Sequence, residues 1–157
     1  HVWTDPQQMI DMSAKVRDLL STLEPSLADE FTRRQRDVQA SLQTLDQELA
    51  AQFAGMRAKV FLVHHPAWGH MAERYGLVQL AVEQDGKEPG PRALAALSSQ
   101  VRRYGIRTLF AEPQASDHLA GGLAEVLALR VEPLDPLAVD YPANMRRVAE
   151  RIVAGQR

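Results

Sequence analysis

Residues 59–83 read K-V-F-L-V-H-H-P-A-W-G-H-M-A-E-R-Y-G-L-V-Q-L-A-V-E. Lys59–His65 reads as a buried strand, short enough for one and too short for a core helix, and its last residues are two histidines. A proline follows at once. A short helix is expected from about Ala67, ended by Gly76, a residue suited to the left-handed turn after a helix. Leu77 to Glu83 then alternates as a second strand. Strand, short helix and strand in immediate succession open a parallel sheet rather than a hairpin.

The same alternation continues to the end of the chain. D-G-K-E-P-G-P (85–91) is rich in turn formers. Arg92–Tyr104 is amphipathic, with Leu94, Leu97, Val101 and Tyr104 on one face and Gly105 as its stop. I-R-T-L-F-A-E-P (106–113) gives a third strand and Asp117–Ala128 a helix. L-R-V-E-P-L-D-P (129–136) gives a fourth strand, and Tyr141–Val153 the closing helix. The expected fold class is α/β, a parallel four-stranded sheet flanked by helices from residue 57 onward.

Upstream the period is helical. Asp5-Pro6 supplies an N-cap carboxylate and a first-turn proline. Met9, Met12, Val16, Leu19 and Leu20 follow at helical spacing until Glu24-Pro25. A second helix is expected from Ser26, with Leu27, Phe31, Val38, Leu42, Leu45, Leu49, Phe53 and Met56 along it. Roughly thirty residues at 1.5 Å each would reach ~45 Å, longer than one small domain needs. Such a helix is a coiled-coil partner or a strut between two bodies.

The 157 residues are 45% hydrophobic and 24% charged, the balance of a globular domain with a real core. A net charge of −2, with no basic block beside aromatics, gives no case for nucleic acid. No apolar run approaches the ~20 residues that cross a bilayer as a helix. The absence of cysteine removes disulfides, thiolate metal sites and thiol nucleophiles. The chain opens at H-V-W-T-D-P without an initiator Met, as a mature or clipped form would.

Ligands of open parallel sheets bind beyond the carboxyl ends of the strands. Those ends carry His64 and His65, then Glu83 running into the Glu88 loop, then Glu112-Pro113, then Asp135-Pro136. Nitrogen and oxygen donors without sulfur suit Zn²⁺, Mn²⁺ or Fe²⁺. Glu112 and Asp135 can equally cap the helices that follow them. A single strand-end histidine can be a hydrogen-bonded structural residue, and the alternation of a strand turns His64 to the face opposite His65. His64 is therefore read as structural.

Five segments together resemble one family, the cluster 9 (A-I) solute-binding proteins, the metal receptors of bacterial ABC importers for zinc and manganese. They are H-V-W-T-D-P-Q-Q-M, H-P-A-W-G-H-M-A-E-R-Y-G-L, D-G-K-E-P-G-P-R-A-L, L-F-A-E-P-Q and V-E-P-L-D-P-L-A-V-D-Y. The resemblance implies a receptor of two α/β lobes joined by a long helix, with the metal in the cleft between them. Residues 1–25 then correspond to a remnant of the N-terminal lobe, 26–56 to the inter-lobe helix and 57–157 to the C-terminal metal-binding lobe. Most of the first lobe, with its histidine ligand and a metal-capturing loop, is expected upstream of His1.

The resemblance also implies roles. Metal ligands fall on His1, His65 and Asp135, and hydrogen-bonding support for them on Glu88 and Glu112. Histidine at 65 favours zinc over manganese. His70 stands where the family usually has Tyr or Phe. The implied partners are a divalent metal ion and an ABC permease in the membrane. The implied location is periplasmic or otherwise extracytoplasmic, with or without a lipid anchor. The implied activity is capture, not catalysis, and the chain alone, holding an incomplete donor set, is expected to bind zinc weakly. The apolar stripe of residues 1–25 is expected to dock differently or to pair with a second copy of the chain. Two alternatives remain. A zinc-dependent hydrolase would need a metal-plus-base motif such as H-E-x-x-H, which is absent. A structural or adhesive module would use the strand-end polar groups only as caps.

Overall fold

The protein, seen as a computed structural model, is described for residues 1–83, 86–87, 89–113 and 117–156, with 117–120 as backbone only. Six α-helices and four strands occur among these residues. A 3₁₀ turn, Val2–Thr4, leads into α1 (Pro6–Leu23), whose N-cap Asp5 accepts a bond from the Gln7 backbone N–H. A second 3₁₀ turn, Pro25–Leu27, reverses the chain into α2 (Ala28–Ala54). The long helix thus starts two residues later than Ser26, because Pro25 imposes a tighter turn first. β1 (Val60–Val63), α3 (Gly69–Tyr75), β2 (Val78–Ala81), α4 (Pro91–Tyr104) and β3 (Thr108–Ala111) follow. α5 (Asp117–Leu127), β4 (Arg130–Pro133) and α6 (Tyr141–Ala154) complete the order.

All strand pairs are parallel, in the order β2-β1-β3-β4. Each strand is shorter than the segment expected from the sequence, because residues at both of its ends leave the ladder to form loops. His64 and His65 accordingly sit in a bend past β1, not on it.

Alternation along β1 divides the core. Phe61 and Val63 face a cluster with Leu45, Leu49 and Phe53 of α2, Met71 of α3, and Met145, Val148 and Ile152 of α6. Leu62 faces the other way, with Leu109 of β3, Leu97 and Val101 of α4, and Ala124 of α5. The long helix is therefore part of the core through its second half. Its first half packs on α1, and there the apolar surface is not closed. Val16, Leu19 and Leu23 of α1 are exposed, and α1 and α2 border an apolar groove of about 450 Å³.

The strand order has one consequence for function. From β1 the chain moves to one side to form β2, then crosses back to the other for β3 and β4. The reversal opens a crevice between the carboxyl ends of β1 and β3, where open α/β sheets bind ligands. His64 and His65 follow β1, and Glu112 follows β3.

Candidate metal centre

The bend after β1 is fixed from both sides. The His64 N–H donates to the Phe110 carbonyl at 2.7 Å, and the His64 carbonyl accepts from the Glu83 N–H at 3.0 Å. Backbone pairing thus runs past the strand ends on both neighbours, and the His64 side chain is buried. The Ala67 N–H closes a tight turn on the His65 carbonyl at 2.8 Å. Pro66 lies inside that turn, and the Trp68 N–H is held by the Gln79 side-chain oxygen at 2.7 Å. These contacts leave the His65 imidazole at the crevice, 36% exposed.

The N-terminal turn meets it there. The His1 ring stands edge-on to the His65 ring, centroids 5.0 Å apart, and lies 5.1 Å from the Trp3 ring. The turn is pinned at two points. Trp3 Nε1–H donates to the Pro136 carbonyl at 2.8 Å, and the Thr4 hydroxyl reaches the His1 carbonyl at 2.9 Å and the Ala67 carbonyl at 3.4 Å. Residues 1–4 therefore bridge the loop after β1 and the loop after β4.

Asp135 lies on that second loop. Its Oδ1 accepts the Leu137 N–H at 2.9 Å, and its carbonyl accepts from the Asn144 side chain at 2.6 Å. The first bond is the local cap that Asp commonly makes two residues ahead. Among the described residues, no three His, Cys, Asp or Glu side chains are grouped closely enough to hold a metal. What the structure brings together is the imidazole pair, with Asp135 on the adjoining loop. Glu88 lies outside the described residues.

Glu112 stands at the end of β3. Burial pushes its carboxyl above the ordinary carboxylate range; its own backbone N–H, His65 and His64 act against that, and Glu83 adds to it. Glu83 stands among the strand-end donors by sequence, with no partner assigned to it. In the structure its Oε2 lies 2.9 Å from His65 Nδ1. The register of β1 on β2 explains the meeting: Val63 stands beside Ala81, and the same offset carried two residues past each strand end brings 65 abreast of 83. Trp3 is the other residue whose part was missed; nothing in its sequence context announces a bond to residue 136.

The donor chemistry fits a borderline-soft divalent ion. Two imidazoles bound to one tetrahedral zinc at ~2.0–2.1 Å would have ring centroids roughly 5 Å apart. The His1–His65 separation is of that size.

A doubly wound lobe with donors at its switch point and a long helix leading away is the build of a solute-binding protein. The sequence matches the model of the family described as zinc-uptake complex component A, periplasmic (ZnuA), over residues 1–155, and the chain belongs to that family. It is 32% identical over 139 residues to the zinc-binding protein AdcA of Streptococcus pyogenes, a match covering 87% of this chain and 27% of that one. A crystal structure of ZnuA superposes with a TM-score of 0.94 at 29% identity, covering 100% of this chain and 60% of that one. The laminin-binding protein Lmb of Streptococcus agalactiae, described as bifunctional with adhesin and metal-transporting activity, superposes with a TM-score of 0.91 at 27% identity. That match covers 100% of this chain and 64% of the other. The chain thus spans from about a quarter to under two thirds of the length of these relatives.

Proposed function

We propose that this chain is the metal-holding portion of an extracytoplasmic receptor that captures Zn²⁺ and passes it to an ABC import permease. The observation that carries the reading is the His1–His65 pair, 5.0 Å between centroids, at the sheet's switch point. His65, His1 and Asp135 are the proposed donors, with Glu112 and Glu88 supporting them through hydrogen bonds. A remaining donor would come from the part of the longer receptor that this chain does not include. The ion is cargo: its capture needs deprotonated imidazole, so affinity falls with acid. Manganese is the alternative cargo, disfavoured by a nitrogen-rich donor set.

In this reading residues 1–25 belong to the first lobe, 26–56 form the helix between lobes, and 57–157 are the second lobe. The exposed stripe of Val16, Leu19 and Leu23 supports that division, since it is apolar surface without cover in this chain. By itself the chain would pair through that stripe with a second copy, and sedimentation that stays monomeric at high concentration contradicts this. The protein is proposed to carry and not to catalyse, and ester and phosphate hydrolysis assays with added zinc test that.

The deciding experiment is calorimetric titration of Zn²⁺ into the 157-residue chain. Weak binding that His65→Ala abolishes is the expected result. Binding unchanged by His65→Ala overturns the site, and tight one-to-one uptake overturns its incompleteness.

A further inference from the structure

We infer that Glu83 is a positioning residue that fixes the tautomer of His65, keeping Nε2 as the nitrogen free to bind a metal. The inference rests on the site reading above for its purpose, but on geometry alone for the tautomer. Neutral imidazole has one donor nitrogen and one acceptor nitrogen, whereas a carboxylate only accepts. With Glu83 Oε2 2.9 Å from Nδ1, the proton belongs on Nδ1 and the lone pair on Nε2. A metal-binding histidine is commonly held in this way through its second nitrogen.

Three features make the contact a built one. The backbone places it: the Val82 N–H donates to the Val63 carbonyl and the Glu83 N–H to the His64 carbonyl, both at 3.0 Å. The two side chains are therefore abreast because backbone hydrogen bonds continue past the strand ends. Glu83 is also the more sheltered partner, 19% exposed against 36% for His65, so the carboxylate lies behind the ring and the ring toward solvent. Finally, His1 meets the His65 ring edge-on, so the ring Glu83 orients is the one facing a second imidazole. Glu112, whose carboxyl also lies in the field of His65, has no such bond to it among the described contacts.

Long-range ¹H–¹⁵N correlation on the zinc-free chain reads the tautomer directly. The Nδ1–H form of His65 should dominate in the native chain and in Glu83→Gln, whose amide oxygen still accepts. Glu83→Ala should move the population toward Nε2–H. An Nε2–H form in the native chain, or the same populations in native and Glu83→Ala, overturns the inference. Zn²⁺ followed through the His65 resonances gives the second readout, with affinity expected to fall about 10- to 100-fold in Glu83→Ala and less in Glu83→Gln. A tautomer shift with unchanged affinity overturns the positioning role. If His65→Ala also leaves zinc binding untouched, the failure belongs to the site and not to the Glu83 contact. Should Glu83→Ala not fold, Glu83→Leu takes its place: a shift toward Nε2–H supports the inference, and native populations overturn it.

Discussion

The Arg74 guanidinium grips Asp46 at two points, Nε–H donating to Oδ1 at 2.7 Å and an Nη2–H to Oδ2 at 2.6 Å. Tyr75 adds its hydroxyl to the same Oδ1 at 2.9 Å, and Arg74 Nε also lies 3.5 Å from Asp5 Oδ1. One carboxylate in the second half of α2 thus holds the end of α3, while Arg74 also touches the cap of α1. α3 begins just after the His65 turn, and α1 just after His1. The network therefore ties both halves of the imidazole pair to the long helix.

Removing the carboxylate should cost more than an ordinary surface ion pair, because the pair is two-pronged and only 21% and 31% exposed. Asp46→Ala is expected to lower unfolding free energy by about 1–3 kcal/mol. Arg74→Lys should recover only part of the native value, since an ammonium cannot make the fork. Urea unfolding of the three proteins checks the order.

The same carboxylate sets an acid limit. The hydrogen bond from Arg74 holds the Asp46 carboxyl below its ordinary value, with Tyr75 and the Arg74 charge adding to this and partial burial opposing it. A depressed folded value means the stabilisation is complete above the unfolded value, about 3.9, and is lost as pH falls through the folded one. Between pH 5 and pH 2 the native chain should lose stability faster than Asp46→Asn does. Parallel loss in the two proteins would exclude Asp46 as the group responsible.

Tyr75 supplies the alkaline counterpart. Burial raises its hydroxyl well above the ordinary phenol range, and the Asp46 bond and charge raise it further. A raised folded value gives stability that is present below about pH 10 and lost as pH climbs toward the folded value. Tyr75→Phe loses a hydrogen bond at neutral pH, worth about 1 kcal/mol, but has nothing to ionise. The stability gap between native and variant should therefore narrow from pH 9 to pH 11, measured by thermal unfolding.

Gly155 is required for space. Its φ of −63° suits any residue, but an added Cβ would lie 2.8 Å from Phe110 Cζ and 3.2 Å from both the Arg151 carbonyl and Thr108 Oγ1. Phe110 is buried in the sheet, so its ring can give way only by repacking its neighbours. Gly155→Ala should destabilise by about 1–3 kcal/mol through overpacking, although helix propensity alone predicts a gain. A raised melting temperature would show that β3 yields to α6.

The sheet and its helices were legible because their signals are local. The apolar run within Lys59–His65, the helical spacing of Arg92–Tyr104, and Gly76 and Gly105 mark their elements by periodicity and backbone preference alone. The segments read as strands overrun the ladder, since a stretch such as 106–113 includes residues, Ile106 among them, that pack without joining it. The crevice was legible too, through the residue types that end β1 and β3. What could not be read were contacts set by register and by chain return. The 65–83 meeting depends on an offset between two strands, which no single segment encodes. The Trp3–Pro136 bond joins residues 133 positions apart, and an indole near the chain's start has many other uses.

That long-range bond makes the last prediction. Trp3 holds the first turn against the loop of Asp135, and its ring also flanks His1. Trp3→Phe keeps an aromatic ring beside His1 but removes the N–H, leaving the Pro136 carbonyl without that donor. The first four residues should then fray, since among the described side-chain bonds those of Thr4 alone still pin them. Global stability should fall by no more than about 1 kcal/mol, because one partly exposed bond is lost. Trp68 is 1% exposed, so its blue-shifted emission, now the only indole signal, should report an intact lobe. Zinc affinity should nevertheless drop by about tenfold, the cost of misplacing one ligand through its support. Native affinity in a Trp3→Phe chain that retains the Trp68 signature would mean that His1 needs no such tether, and that Asp135 is not coupled to it through residue 136.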